Sequence, residues 1–138
     1  DCKYSEEIPD FRWEICNDTL YIKNKLCQKA ICSFRGRRYI AWFCKELNWS
    51  NGPWKFGGLP GVILKIYDLD KEYVYECVGI ENDKEKISIK SYDYNNYNDI
   101  ERTDLLKLWN DIFDHYFLMI GGSNKLQCTD KYNPLELE

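Results

Sequence analysis

The sequence predicts an α+β fold: an antiparallel β meander with one C-terminal amphipathic helix packed on it. Three observations predict it. Aromatic residues make up 16% of the 138-residue chain, among them 11 Tyr and 5 Trp, and such side chains favour pleated surfaces. Short apolar runs separated by tight polar turns follow one another from residue 11 to residue 92. From Leu105 the apolar spacing lengthens to that of a helix.

The elements follow in order. Phe11–Cys16, Thr19–Lys23, Leu26–Phe34 and Arg37–Lys45 read as strands. Val62–Leu69, Glu72–Ile80 and Lys86–Tyr92 read as three more. Connections this short force antiparallel neighbours, because parallel pairing needs a long crossover. Residues 93–98 read as a loop. Leu105, Leu108, Trp109, Ile112, Phe113, Tyr116 and Met119 then share one helical face. Thr103 or Asp99 is the expected cap, and Gly121-Gly122 the expected stop. A meander this aromatic can curl into a half-barrel with the helix over its concave face, although periodicity does not report curvature. No linker or internal repeat divides the chain, so residues 1–138 read as a single domain. The chain opens on Asp1 rather than Met, as a mature or trimmed form does.

Composition excludes several classes of function. Net charge is −4, with 19 basic and 23 acidic residues mixed along the chain, so no electrostatic footprint for nucleic acid is expected. Arg35-Gly36-Arg37-Arg38 reads as a basic turn. No apolar run approaches the ~20 residues that span a bilayer, so no transmembrane segment is expected. Seven cysteines with a single histidine, and no two cysteines at CxxC spacing, argue against a metal site and toward disulfides.

One pairing is derivable. Phe34-Arg35-Gly36-Arg37 is a hairpin signal. If Arg35-Gly36 is a two-residue turn, Phe34 faces Arg37, and the same register sets Cys27 opposite Cys44. Alternation from the hydrogen-bonded 34/37 pair makes 27/44 a non-hydrogen-bonded pair, with Cα atoms ~4.5 Å apart, within disulfide reach. A Cys27–Cys44 disulfide is one expectation. The other is that both are small buried apolar side chains.

Residues 52–64, Gly-Pro-Trp-Lys-Phe-Gly-Gly-Leu-Pro-Gly-Val-Ile-Leu, specify one irregular loop ahead of a strand, because glycine permits backbone angles closed to other residues and proline fixes φ. Trp54, Phe56, Gly58, Leu59, Pro60 and Gly61 form the candidate binding edge: small residues admit a partner backbone, and Trp54 and Phe56 are potential anchors. The competing expectation is a structural loop that folds its aromatics onto the sheet.

The same run resembles the GLPGLI family, departing from its Gly-Leu-Pro-Gly-Leu-Ile only at Val62. Trp13-Glu14-Ile15, Cys27-Gln28-Lys29-Ala30, Phe34-Arg35-Gly36-Arg37, Ala41-Trp42-Phe43 and Gly52-Pro53-Trp54 are similar to upstream blocks of that family. Tyr132-Asn133-Pro134-Leu135-Glu136-Leu137 is similar to its usual ending. Members are commonly longer at the N terminus, so the chain is also readable as a fragment lacking N-terminal strands, with a cysteine partner outside it. The resemblance implies export to the periplasm or cell surface of a Gram-negative bacterium. It implies no settled activity, and an accessory role beside an outer-membrane transporter or other envelope protein.

No P-loop, HExxH, GxSxG or EF-hand pattern is present. His115, on the helix, reads as a surface or structural histidine rather than a base, and Asp68 and Asp70 as a polar turn. The expectation is therefore a non-enzymatic binding or accessory module with no metal and no cofactor. The alternatives are a carrier of a hydrophobic small molecule or lipid in a half-barrel cavity, and, further off, a hydrolase or peptide-processing enzyme.

Overall fold

A computed structural model of the chain describes residues 2–81 and 93–119, with backbone alone at Asp114 and at 116–119. The expected strand Lys86–Tyr92, the Gly121-Gly122 stop and the C-terminal Tyr132–Leu137 block lie outside the described residues. The fold is α+β, an antiparallel five-stranded sheet and one helix, divided into two compact units.

The larger unit holds β2 (Glu14–Ile22), β3 (Lys25–Phe34), β4 (Arg37–Cys44), β5 (Val62–Asp68) and β6 (Val74–Glu76). They pair in sequence order, all antiparallel, and the sheet is open, with β2 and β6 as its edges. Two-residue turns close the first two hairpins. Lys23 and Asn24 take φ of 49° and 60°, and Arg35 and Gly36 take 44° and 78°, the left-handed pair whose twist matches that of the strands. Phe34 faces Arg37 and Gln28 faces Phe43, the register expected from the turn.

Two irregularities shape the sheet. The two expected strands before residue 24 are one strand, β2, whose pairing with β3 slips between Ile15 and Thr19. Gln28 stitches that slip by donating its Nε2 hydrogen to the Cys16 carbonyl at 2.8 Å. In β5, Ile63 pairs with Phe43 and Lys65 with Trp42, leaving Leu64 as the extra residue of a bulge. Bulges bend a strand and increase its twist. Because of the bulge Ile63 and Ile66, three apart, are buried on one face while Leu64 is buried on the other. β6 is shorter than the expected Glu72–Ile80, with Val78 89% exposed beyond its end.

Each face carries its own cluster. One gathers Ala30, Cys32, Tyr39, Ala41, Phe43, Ile63 and Ile66 with Phe11, Phe56 and Leu59 from outside the strands. The other gathers Ile22, Cys27, Cys44 and Leu64, with Trp42 and Cys77 packed against them. At the far edge of the sheet the Arg37 guanidinium, almost fully buried, donates to Asp68 at 3.0 Å and to Glu72 at 2.7 Å. The Asp68 carboxylate also accepts the Tyr73 N–H at 2.8 Å, so one buried acid both holds the cation and organises the β5–β6 turn.

In the smaller unit β1 (Cys2–Lys3) pairs parallel with β7 (Asn98–Asp99). The α1 helix covers Arg102–Met119. It begins ahead of Thr103 and well past Asp99: the Glu101 carbonyl accepts from Asp104 and Leu105 at 3.1 and 3.0 Å, so Glu101, not either expected residue, occupies the cap. Leu105, Ile112 and Phe113 are half-buried, whereas Leu108 and Trp109 are exposed.

Candidate functional site

The six residues expected to bind lie on the loop between β4 and β5, and its construction decides what each can do. The Phe56 N–H donates to the Pro53 carbonyl at 3.1 Å and closes a turn, while the Gly61 N–H closes a tighter one on Leu59 at 2.8 Å. The Gly58 N–H is held by Ser50 Oγ at 3.0 Å. Trp13 reaches over from the start of β2 and donates its indole N–H to the Gly57 carbonyl at 2.8 Å. Gly58 at φ 81° adopts a conformation open chiefly to glycine. Gly61 sits so tightly under β4 that a Cβ there would strike the Cys44 carbonyl.

Phe56 and Leu59 are each 2% exposed. Phe56 packs at 4.8 Å from Tyr39 and 5.2 Å from Phe11, ring centre to ring centre. Both side chains therefore belong to the core, and their apolar surface is not offered to a partner. Trp54 differs. It keeps 42% of its surface exposed, edge-on to Phe34 and Phe56 at 6.2 and 5.3 Å, with the Lys55 ammonium 4.9 Å from its ring. Pro60, further along the same loop, is exposed, a small rigid surface.

Cys27 and Cys44 are both fully buried, in one cluster on one face. Continuing the β3–β4 register one step beyond Gln28 and Phe43 sets them opposite each other. They are free thiols in this structure, as are Cys2, Cys16, Cys32 and Cys77. Burial and the neighbouring Cys44 thiol push the Cys27 pKa up to about 11, which opposes thiolate chemistry. Among the described residues no group of three or more His, Cys, Asp or Glu is placed to hold a metal. His115, exposed on α1, shares a hydrogen bond between Nδ1 and the Asp111 carbonyl at 2.9 Å.

No motif marks the third feature, a groove of about 560 Å³ on the Cys27 face of the sheet. It exists because the sheet curls: Leu20–Lys23 at the end of β2 and Val74 and Glu76 of β6, the two opposite edges, line the same space. Trp42, Tyr21 and Tyr67 supply aromatic surface, and Lys23, Lys65 and Lys71 supply charge. Lys65 is tied to Glu76 at 2.7 Å, and this hydrogen bond and charge hold the Glu76 carboxyl below its ordinary pKa, with a smaller contribution from Lys23. The sequence carries a signal for the groove only in retrospect: Trp42 and Lys65 pair directly across β4 and β5.

The described residues of the larger unit thus form an open antiparallel sheet with a braced glycine-rich loop and a side-chain-lined groove. A family described as a protein of unknown function (Porph_ging) matches residues 35–65, which run from the β3–β4 turn through β4 and the loop into β5. No curated protein matches the chain. A solved structure titled "Structure of PNGF-II in P21 space group" is similar over 71% of this chain and 18% of its own, at 18% identity and a TM-score of 0.43. The chain thus spans less than a fifth of that protein's length, and a likeness of that degree carries no argument about function.

Proposed function

We propose that the chain is a non-enzymatic binding module of the bacterial envelope, exported to the periplasm or cell surface and working beside an outer-membrane partner, a transporter being the leading candidate. The observation that carries the binding role is the groove on the curled sheet. Its volume falls within the ~300–1,000 Å³ typical of small-ligand sites, and it combines aromatic walls with a few placed polar groups. The envelope setting rests on the resemblance to the GLPGLI family, and the match of a family of unknown function over residues 35–65 is of the same kind. That oxidising setting also favours a Cys27–Cys44 bond. The open form of the groove and its charged rim favour the binding module over the carrier alternative, which calls for an enclosed apolar cavity.

Affinity capture from a native envelope extract, with mass spectrometry of bound proteins and small molecules, tests this. Wild type is expected to retain a specific ligand that Trp42→Ala loses while it stays folded, with a melt lowered by the lost packing of Trp42. Equal retention by both, or by neither, overturns the proposal. A second reading is favoured by Trp54, which of the two expected anchors Trp54 and Phe56 is the one left at the surface: a protein partner docks there. Trp54→Ala that melts normally and loses an envelope protein supports it. Loss of folding returns Trp54 to a structural role.

A further inference from the structure

The groove is a cationic concavity in an acidic chain, and two of its cations are placed by unusual backbone. Lys23 sits in the β2–β3 turn at φ 49° and Lys71 in the β5–β6 turn at φ 55°. Non-glycine residues with positive φ are uncommon, and Asn or Asp is the usual occupant. At both positions lysine stands instead. The two turns are remote in sequence and belong to different hairpins, yet the curl of the sheet brings both side chains to one groove. Neither lysine makes an ion pair among the described residues, in contrast to Lys25, Lys29 and Lys65, each held by a carboxylate. Among the described residues Glu76 is the one acid lining the groove, and Lys65 occupies it. Lys23 adds a small share to the field that lowers the Glu76 pKa. Two ammonium groups are thus left facing open space in a chain of net charge −4.

Half-buried Trp42 lines the same groove, with Tyr67 and the exposed Tyr21. Aromatic faces accept flat or apolar ring surfaces, and the lysine stems extend that apolar surface while the charged ends stay in water. Charge-assisted hydrogen bonds from an ammonium are stronger than neutral ones. We propose that the groove binds a small ring-bearing anion, its carboxylate or phosphate met by Lys23 or Lys71 and its ring laid against Trp42. This rests on the reading of the groove as a ligand site and names the ligand's chemical class. The openness of the groove suits a ligand that keeps one side in solvent, and its two lysines select for charge where the aromatic floor alone would not.

The test is titration of the whole chain followed by NMR at the indole N–H of Trp42, assigned by Trp42→Phe. Glucuronate, glucose 6-phosphate and benzoate are the anionic probes. Glucose and benzamide are their neutral counterparts. At least one anion is expected to shift the Trp42 signal with an affinity tenfold or more above its neutral counterpart. Which anion does so separates carboxylate from phosphate and sugar from arene. Lys23→Gln combined with Lys71→Gln is expected to weaken that anion at least fivefold while leaving the melt unchanged. Lys107→Gln, on α1, is the control for non-specific charge and is expected to change nothing. Neutral probes that bind as tightly as the anions, or a double variant that binds anions as wild type does, overturn the charge assignment and leave the groove standing as a ligand site. No shift at Trp42 with any of the five overturns both.

Discussion

Gly61 shows how narrowly one residue can be specified. Its φ of 151° and the Cys44 carbonyl beneath it leave no room for a side chain. Gly61→Ala is expected to cost about 2–4 kcal/mol, read as a lower urea midpoint. Gly57→Ala is the internal control, since a Cβ there meets nothing within 4 Å, and its effect is expected within about 0.5 kcal/mol. The need for glycine in this loop is legible in the sequence, because Gly-Gly-Leu-Pro-Gly crowds residues of special backbone freedom around a proline whose φ is fixed. Which way the aromatics turn is not. Trp54 and Phe56 are two apart on an irregular backbone, where no period relates them, and one is surface while the other is core. What decides is the reach of Trp13 onto Gly57, a contact across 44 positions that no local pattern encodes.

At the scale of elements, register is the most legible quantity. A two-residue turn with glycine at its second position leaves one pairing for Leu26–Phe34 against Arg37–Lys45, and the observed pairs follow it. From that register, purification under oxidising conditions is expected to yield a Cys27–Cys44 bond closing a short loop, which would stabilise the fold by about 3 kcal/mol in the chain-entropy account. Non-reducing peptide mapping reads the connectivity. Cys77, packed against the same cluster, is the competing partner, and a Cys27–Cys77 bond would reject the pairing. Strand ends are less legible. The slip between Ile15 and Thr19 hides one strand as two, because Asn17 and Asp18 look like a turn. The cap of α1 falls on Glu101, since the chain enters the helix one turn earlier than the apolar spacing reports.

For the sheet unit as a whole, burial sets a dependence on alkali. Burial pushes the Cys27 thiol from the ordinary 9.0 up to about 11, the Cys32 thiol from 9.0 to about 12, and the Tyr39 phenol from 10.0 to about 12. Each is an acid whose folded form holds its proton more tightly than the unfolded chain does. The stabilisation is therefore complete below pH 9 and is lost as pH rises from 9 toward 12. Urea midpoints are expected to be flat from pH 7 to 8.5 and to fall above 9. Cys32→Ala should make that fall shallower, and an unchanged slope would contradict the assignment. The groove is the part of the molecule least legible in the sequence. Its walls come from residues 20–23, 42, 65, 67, 71, 74 and 76, and only the bend of the sheet unites them. Periodicity reports which face a side chain takes, and it is silent on how far that face closes upon itself.

Leu64 carries a consequence for length variation in this chain. It is the surplus residue between the Ile63–Phe43 and Lys65–Trp42 pairs. A chain shortened by that one position would keep Ile66 and Asp68 pointing as they do now, because the remaining residues fall into plain alternation. It would lose only the wedge that bends β5 and covers the two thiols. One residue removed elsewhere in the same strand would instead exchange inside for outside along everything that follows, and set the Asp68 carboxylate apart from Arg37.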